Sequence, residues 1–195
     1  MKKAADQVKR SKDSNLDATT AIYNAMLLGK VAGDHSIAFP EQLDRSRLDY
    51  SLESLRTIDQ YLGQVRTQQD GLVGLTYLNT IVAVACYLGE VIRRGTPEGE
   101  CHWLRTSPDP GDSSQTGVNL GDFADIVLGA SGSGQSLRPT RMVARILNGN
   151  GEQALTYEYA VLAMQRIWVS VTATAEPGSS TPTNGFSVAA KKGQD

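Results

Sequence analysis

The chain is 195 residues long, 40% hydrophobic and 21% charged, with a formal net charge of −2. That length suits one domain with a real core, and the charge balance excludes a dedicated nucleic-acid binder, which would carry a strongly basic excess. Two cysteines and two histidines offer no clustered ligand spacing, so neither a metal nor another cofactor is expected.

Residues 1–15 read as a flexible basic arm with Lys2, Lys3, Lys9, Arg10 and Lys12. No apolar core follows it directly, and the later run AIYNAMLLG is short and broken by Asn24, so a secretory signal is not expected. The globular domain is assigned to 16–175. The segment 176–195, EPGSSTPTNGFSVAAKKGQD, has the composition of a disordered tail. A first helix is predicted over 16–32, with Asp17 near its start and Gly33 just past its end.

Leu48, Leu52, Leu55, Ile58, Leu62 and Val65 recur at spacings of three and four, which marks one apolar face of a second helix. Ser51 is its predicted N-cap, since a serine hydroxyl can accept from amides that a first helical turn leaves unpaired. Gly71 separates it from a third helix, and the two are expected to pack antiparallel across a short turn. This third helix has no charged residue between Asp70 and Glu90, then closes on Glu90, Arg93 and Arg94. The run 71–89 just reaches the membrane-spanning range of about 17–25 residues. Thr76, Asn79, Thr80, the interspersed glycines and the amphipathic helix before it favour a buried core helix over a membrane span.

Beyond Arg94, Cys101–Arg105 reads as a short strand and 107–117 as a mobile loop. A second strand is placed within Val118–Leu128, and GASGSGQS (129–136) reads as another flexible loop. Pro139 sits where a helix can begin. Met142, Val143, Ile146 and Leu147 form its apolar face, and Asn148-Gly149 ends it. A last helix is predicted over 152–168, with Leu155, Tyr159 and Leu162 facing inward. The fold class is α+β, mainly helical, with a central buried helix and a small sheet in the middle of the chain.

Few segments carry chemistry. Gly129 to Ser136 has glycines spaced as in a phosphate loop, but Gln135 stands where that loop needs a lysine to neutralise phosphate charge. Ser133 occupies the position where a serine-hydrolase elbow needs its second glycine. Cys101 and His102 are adjacent on a strand and point to opposite faces, so they do not form a nucleophile–base pair.

Two basic features remain. Glu90 lies three and four residues before Arg93 and Arg94, within reach on one helix. The simpler reading is a helical ion pair that brings the core helix out into water; the other is a carboxylate in a cleft, with Tyr87 one turn back. Arg138, Arg141 and Arg145 recur at helical spacing as a basic stripe, suited to an acidic protein surface or to phosphates, or simply solvating an outer helix face.

The words LDYSLESL (48–55) and YLGEVIRR (87–94) resemble the signature of a group of small bacterial proteins with no established activity. In that group a Trp-containing strand follows the helix pair, as Cys101-His102-Trp103 does here, and Arg138–Leu147 is similar to a later helix. The resemblance implies an α+β fold and a bacterial, cytoplasmic setting, and brings no catalytic residues. The functional expectation is a non-catalytic module that binds a protein partner, such as an immunity or adaptor protein. The alternative is a small enzyme or ligand-binding protein with a cleft near Glu90. Oligomeric state is not legible.

Overall fold

The computed structural model describes residues 14–31, 36–68, 74–106, 123, 126–131, 134–149 and 155–174. Five helices, α1 (Ser14–Leu27), α2 (Ser54–Thr67), α3 (Leu75–Arg94), α4 (Pro139–Leu147) and α5 (Thr156–Thr174), accompany a small sheet of β1 (Cys101–Arg105), β2 (Ile126–Ala130) and β3 (Ser136–Leu137). The architecture is α+β and mainly helical, as the sequence indicates. The basic arm up to residue 13, the loop 107–117, His35 and the tail 176–195 lie outside the described residues.

Every residue of α3 from Asn79 to Ile92 is buried. This is why the sequence there shows no polar face: a helix packed on all sides has none to show. Among the described residues α3 is the one helix long and apolar enough to cross a membrane, and 78% of its apolar window is buried within the protein. It is a core helix. Its closest backbone neighbours are α1 and α4, not α2 as its place in the chain suggests. Tyr87 bridges the wider gap to α2, its hydroxyl 2.8 Å from Ser54 Oγ.

α1 ends at Leu27 rather than near residue 32. Gly29 takes a left-handed conformation, φ +68°. Its N–H donates to Met26 O at 3.0 Å, and the Lys30 N–H donates to Ala25 O at 2.8 Å, the two reversed bonds of a Schellman stop. Arg45 reinforces the end by donating from Nε to Leu27 O at 2.9 Å. α2 starts at Ser54, later than its apolar spacing implies. Ser51 nonetheless serves that terminus, its Oγ accepting the Ser54 N–H at 3.2 Å.

The sheet is antiparallel in the order β1-β2-β3, with Trp103 opposite Leu128 and Cys101 opposite Ala130. Gly129 and Ala130 belong to β2 and Ser136 to β3, so the glycine-rich run is partly strand. Next to the β2–β3 pairing, the Ala130 N–H donates to Gln135 O at 2.9 Å. α4 begins with Pro139 in its first turn and ends at Asn148.

α5 differs from the expectation in its facing. Thr156, Ala160, Ala163 and Ile167 are buried, whereas Leu155 and Leu162 are exposed and Tyr159 is half-buried. The inward stripe is built from small residues with a weak hydropathy signal, and the larger leucines drew the expectation to the wrong face.

Candidate functional site

The cleft lies where α3 leaves the core. Glu90 is on the last buried turn and is only 8% exposed. Arg93 grips its carboxylate with two bonds, Nε to Oε2 at 2.8 Å and Nη2 to Oε1 at 2.7 Å. Arg94 Nε adds a bond to Oε1 at 2.8 Å. Burial alone would push the Glu90 pKa up, but the hydrogen bonds and charges of the two arginines outweigh it and hold the pKa below the usual carboxylate range. Glu90 therefore stays ionised and fixes two guanidinium groups, each of which has N–H donors beyond those it gives to the carboxylate.

Tyr50 extends the arrangement. Its ring stacks on Tyr87 with centroids 4.8 Å apart, and the Arg94 guanidinium carbon lies 3.8 Å from the Tyr50 ring centroid, a cation–π contact. Tyr50 is held at φ 63°, a left-handed conformation uncommon for a large residue. Its N–H donates to the Tyr87 hydroxyl at 2.9 Å. Ser54 gives its own proton to Ser51 O at 2.6 Å, so the Tyr87 hydroxyl donates to Ser54 Oγ. The result is a continuous chain from Tyr50 N–H through two hydroxyls to a backbone carbonyl, in which each bond polarises the next. Burial raises the Tyr87 pKa, so this hydroxyl is a neutral strut.

A cleft of about 430 Å³ opens beside these groups. Its floor and one wall are Glu90, Arg93, Arg94, Tyr50 and Trp103. Trp103 reaches α3 because residue 89 is glycine: a Cβ there would lie 2.2 Å from Trp103 Cη2. The opposite wall is one face of α1, on which Asp17, Thr20 and Asn24 follow at spacings of three and four, with Lys30 just past the helix end. Asn24 is 7% exposed, and its Oδ1 is buried without a hydrogen-bond partner among the described residues. A buried amide oxygen left unmatched costs free energy and calls for an explanation.

Of the residues singled out by sequence, Glu90, Arg93 and Arg94 line this cleft, whereas Tyr87 is buried behind Tyr50. Tyr50, Trp103, Lys30, Asp17, Thr20 and Asn24 were not legible as site residues. The α1 residues read as ordinary helix surface, and only the packing of α1 on α3 turns them toward Glu90. Arg138, Arg141 and Arg145 are not among the cleft's lining residues. Arg145 is exposed and Arg138 half-buried, while Nε and Nη2 of Arg141 are buried, so the three do not make a continuous exposed stripe. Cys86 and Cys101 are both buried free thiols, and burial raises the pKa of each, which disfavours the reactive thiolate. Among the described residues no group of three His, Cys, Asp or Glu side chains converges to hold a metal.

Compared with known proteins, the chain matches no family model, no curated protein and no solved structure.

Proposed function

We propose that this protein binds a small amphoteric molecule, one carrying both an anionic group and an N–H donor, in the cleft between α1 and the end of α3. The observation that carries the reading is Glu90: a carboxylate 8% exposed, fully engaged by two arginines, on the floor of a 430 Å³ cleft. That volume falls in the range of small-molecule sites, about 300–1,000 Å³. Arg93, Arg94 and Lys30 supply cations for the ligand's anionic end. Asn24 Oδ1, without a partner among the described residues, and the Asp17 carboxylate supply acceptors for its N–H end. Tyr50 and Trp103 supply flat apolar walls for what lies between.

The role is binding rather than catalysis. Glu90 holds its charge, Tyr87 is sealed as a strut, and Cys101 is kept protonated. The cytoplasmic setting and the kinship with small bacterial proteins rest on the sequence words alone and stay part of this proposal.

The test is thermal unfolding of the full chain with each free α-amino acid and a set of dipeptides as probes. Ligand at about a hundred times its Kd stabilises a protein by ~2.7 kcal/mol, a rise in Tm on the order of 5 °C. A rise with one chemical subset, lost in Asn24→Ala and Lys30→Ala, supports the reading. No rise with any probe at millimolar concentration overturns the amphoteric assignment.

A further inference from the structure

The cleft beside Glu90 is long rather than round. Its α1 wall runs from Asp17 through Thr20, Asn24 and Leu28 to Lys30, with about 16 Å of helix rise between Asp17 and Leu28. Opposite charges stand at its two ends, Asp17 at one and Lys30 at the other. Both residues are exposed, and neither forms a salt bridge among the described residues. The charge of Asp17 acts on Arg93 at longer range and helps to raise its pKa. Between the ends lie two acceptors on one face of α1. Thr20 is 3% exposed, and its hydroxyl donates to Asp17 O at 3.1 Å, which leaves the oxygen's lone pairs to accept. Asn24 Oδ1, one turn further on, accepts from no described residue.

The spacing of these groups matches an extended peptide. Asp17 and Asn24 are seven residues apart, about 10.5 Å of helix rise, and three residues of extended chain rise about 10 Å. Thr20 and Asn24 are about 6 Å apart along the axis, close to the ~6.7 Å between same-facing N–H groups at i and i+2 of an extended chain. An N-terminal ammonium at Asp17 therefore brings the N–H groups of the second and fourth residues to Thr20 and Asn24. The carboxylate of that fourth residue ends on the Lys30 side. Carbonyls of the first and third residues face the other wall, where Arg93 and Arg94 keep donors beyond those given to Glu90. A free amino acid reaches one end of this arrangement and leaves the rest unused.

Given that the cleft is a ligand site, we propose that its ligand is a short peptide of about four residues, extended along α1 and held by its main chain, with its ammonium at Asp17 and its carboxylate at Lys30. The opposite orientation would set the carboxylate against Asp17 and the ammonium against Lys30. Recognition through the main chain and the two termini makes length, more than side-chain identity, the selected property.

Isothermal titration calorimetry of the full chain with alanine and its di-, tri-, tetra- and pentapeptides tests this. Affinity is expected to rise with length, to be at least about tenfold higher for tetra-alanine than for dialanine, and to gain nothing further at five residues. N-acetylation of tetra-alanine should weaken binding to the wild type about tenfold and make no difference to Asp17→Asn. C-terminal amidation should do the same for the wild type and make no difference to Lys30→Met. Such cycles isolate each contact from any general effect of the variant, and both positions are exposed, so an unchanged Tm shows an intact fold. Tetra-alanine binding no more tightly than alanine or dialanine overturns the peptide assignment and leaves the amphoteric reading standing. So does silence from every alanine peptide when another amphoteric probe raises the Tm. Blocked termini that bind as well as free ones overturn the assigned ends. Silence from all probes overturns both the peptide and the amphoteric reading.

Discussion

The Asp59 carboxylate on α2 accepts the backbone N–H of Thr156, 97 residues further along the chain, at 2.7 Å. The same oxygen accepts the Thr156 hydroxyl at 2.7 Å, and its partner oxygen accepts the Tyr157 N–H at 3.2 Å. α5 thus begins on a cap supplied by another helix. The carboxylate satisfies two amides of the first turn, and its charge faces the positive end of the helix.

Asp59→Ala is expected to cost about 1–2 kcal/mol, the scale of a lost cap. Asp59→Asn keeps an acceptor and separates the hydrogen bond from the charge. Burial raises the Asp59 pKa more than its hydrogen bonds lower it. The unfolded chain therefore releases this proton first, so the stability from Asp59 is greatest below the usual carboxylate range and declines as pH rises through the folded pKa. Urea unfolding at stepped pH should show Asp59→Asn gaining on the wild type as pH rises. A loss in that direction would mean the hydrogen bonds, not burial, dominate.

Glu90 carries the opposite sign. Its lowered pKa means its stabilisation is present above the usual carboxylate range and is lost as pH falls through the folded value. Glu90→Gln should cost about 2 kcal/mol at neutral pH through weakened charge-assisted bonds. It should also flatten the acid limb of the stability curve. Identical urea midpoints for variant and wild type at pH 7 would show that the arginines are held by something else.

Gly89→Ala sets two effects against each other. Alanine gains about 1 kcal/mol of helix propensity over glycine. Its methyl, however, would sit 2.2 Å from Trp103 Cη2, and overpacking of this kind costs about 1–3 kcal/mol. We expect net destabilisation with a displaced Trp103. In a Trp168→Phe background, where Trp103 is the sole tryptophan, its emission should move to longer wavelength. A more stable protein with unchanged emission would contradict the close packing.

Tyr87→Phe removes one oxygen and leaves both the Tyr50 amide and the Ser54 hydroxyl without the partner they share. The expected cost is about 1–3 kcal/mol. Hydrogen exchange should accelerate at the Tyr50 amide while that of mid-α3 keeps pace with the global change only. Equal acceleration at both would mean that the hydroxyl chain does not anchor the 48–54 segment.

Much of this fold is legible before any coordinates. The uncharged run before Glu90 identifies the buried helix, and Pro139 with Asn148-Gly149 brackets α4. What stays hidden depends on neighbours. Nothing local marks Leu162 as outward, because the choice of inward face on α5 is made by Ala160 and Ala163 fitting closely against the core. Nothing local joins Asn24 to Glu90, since their meeting depends on α1 lying along α3. Tyr50 is hidden for a further reason: its left-handed backbone goes with the ring stack and the Tyr87 bond, contacts to a distant helix, and no local sequence preference predicts it. The Glu90–Arg93–Arg94 spacing predicts the ion pair correctly and is silent on the cleft beside it.

On this reading the cleft takes a ligand through Asn24 on one wall and the arginines on the other. Nitrogen-detected NMR of the full chain, following the Asn24 side-chain amide and the Arg93 and Arg94 Nε–H signals during titration with free amino acids and dipeptides, tests it most directly. At least one probe is expected to move all three signals together, saturably and with one apparent Kd, while Arg145 stays still. Probes that leave Asn24 and Arg93 unmoved at saturating concentration, or that shift them only in step with the remote Arg145, would contradict it.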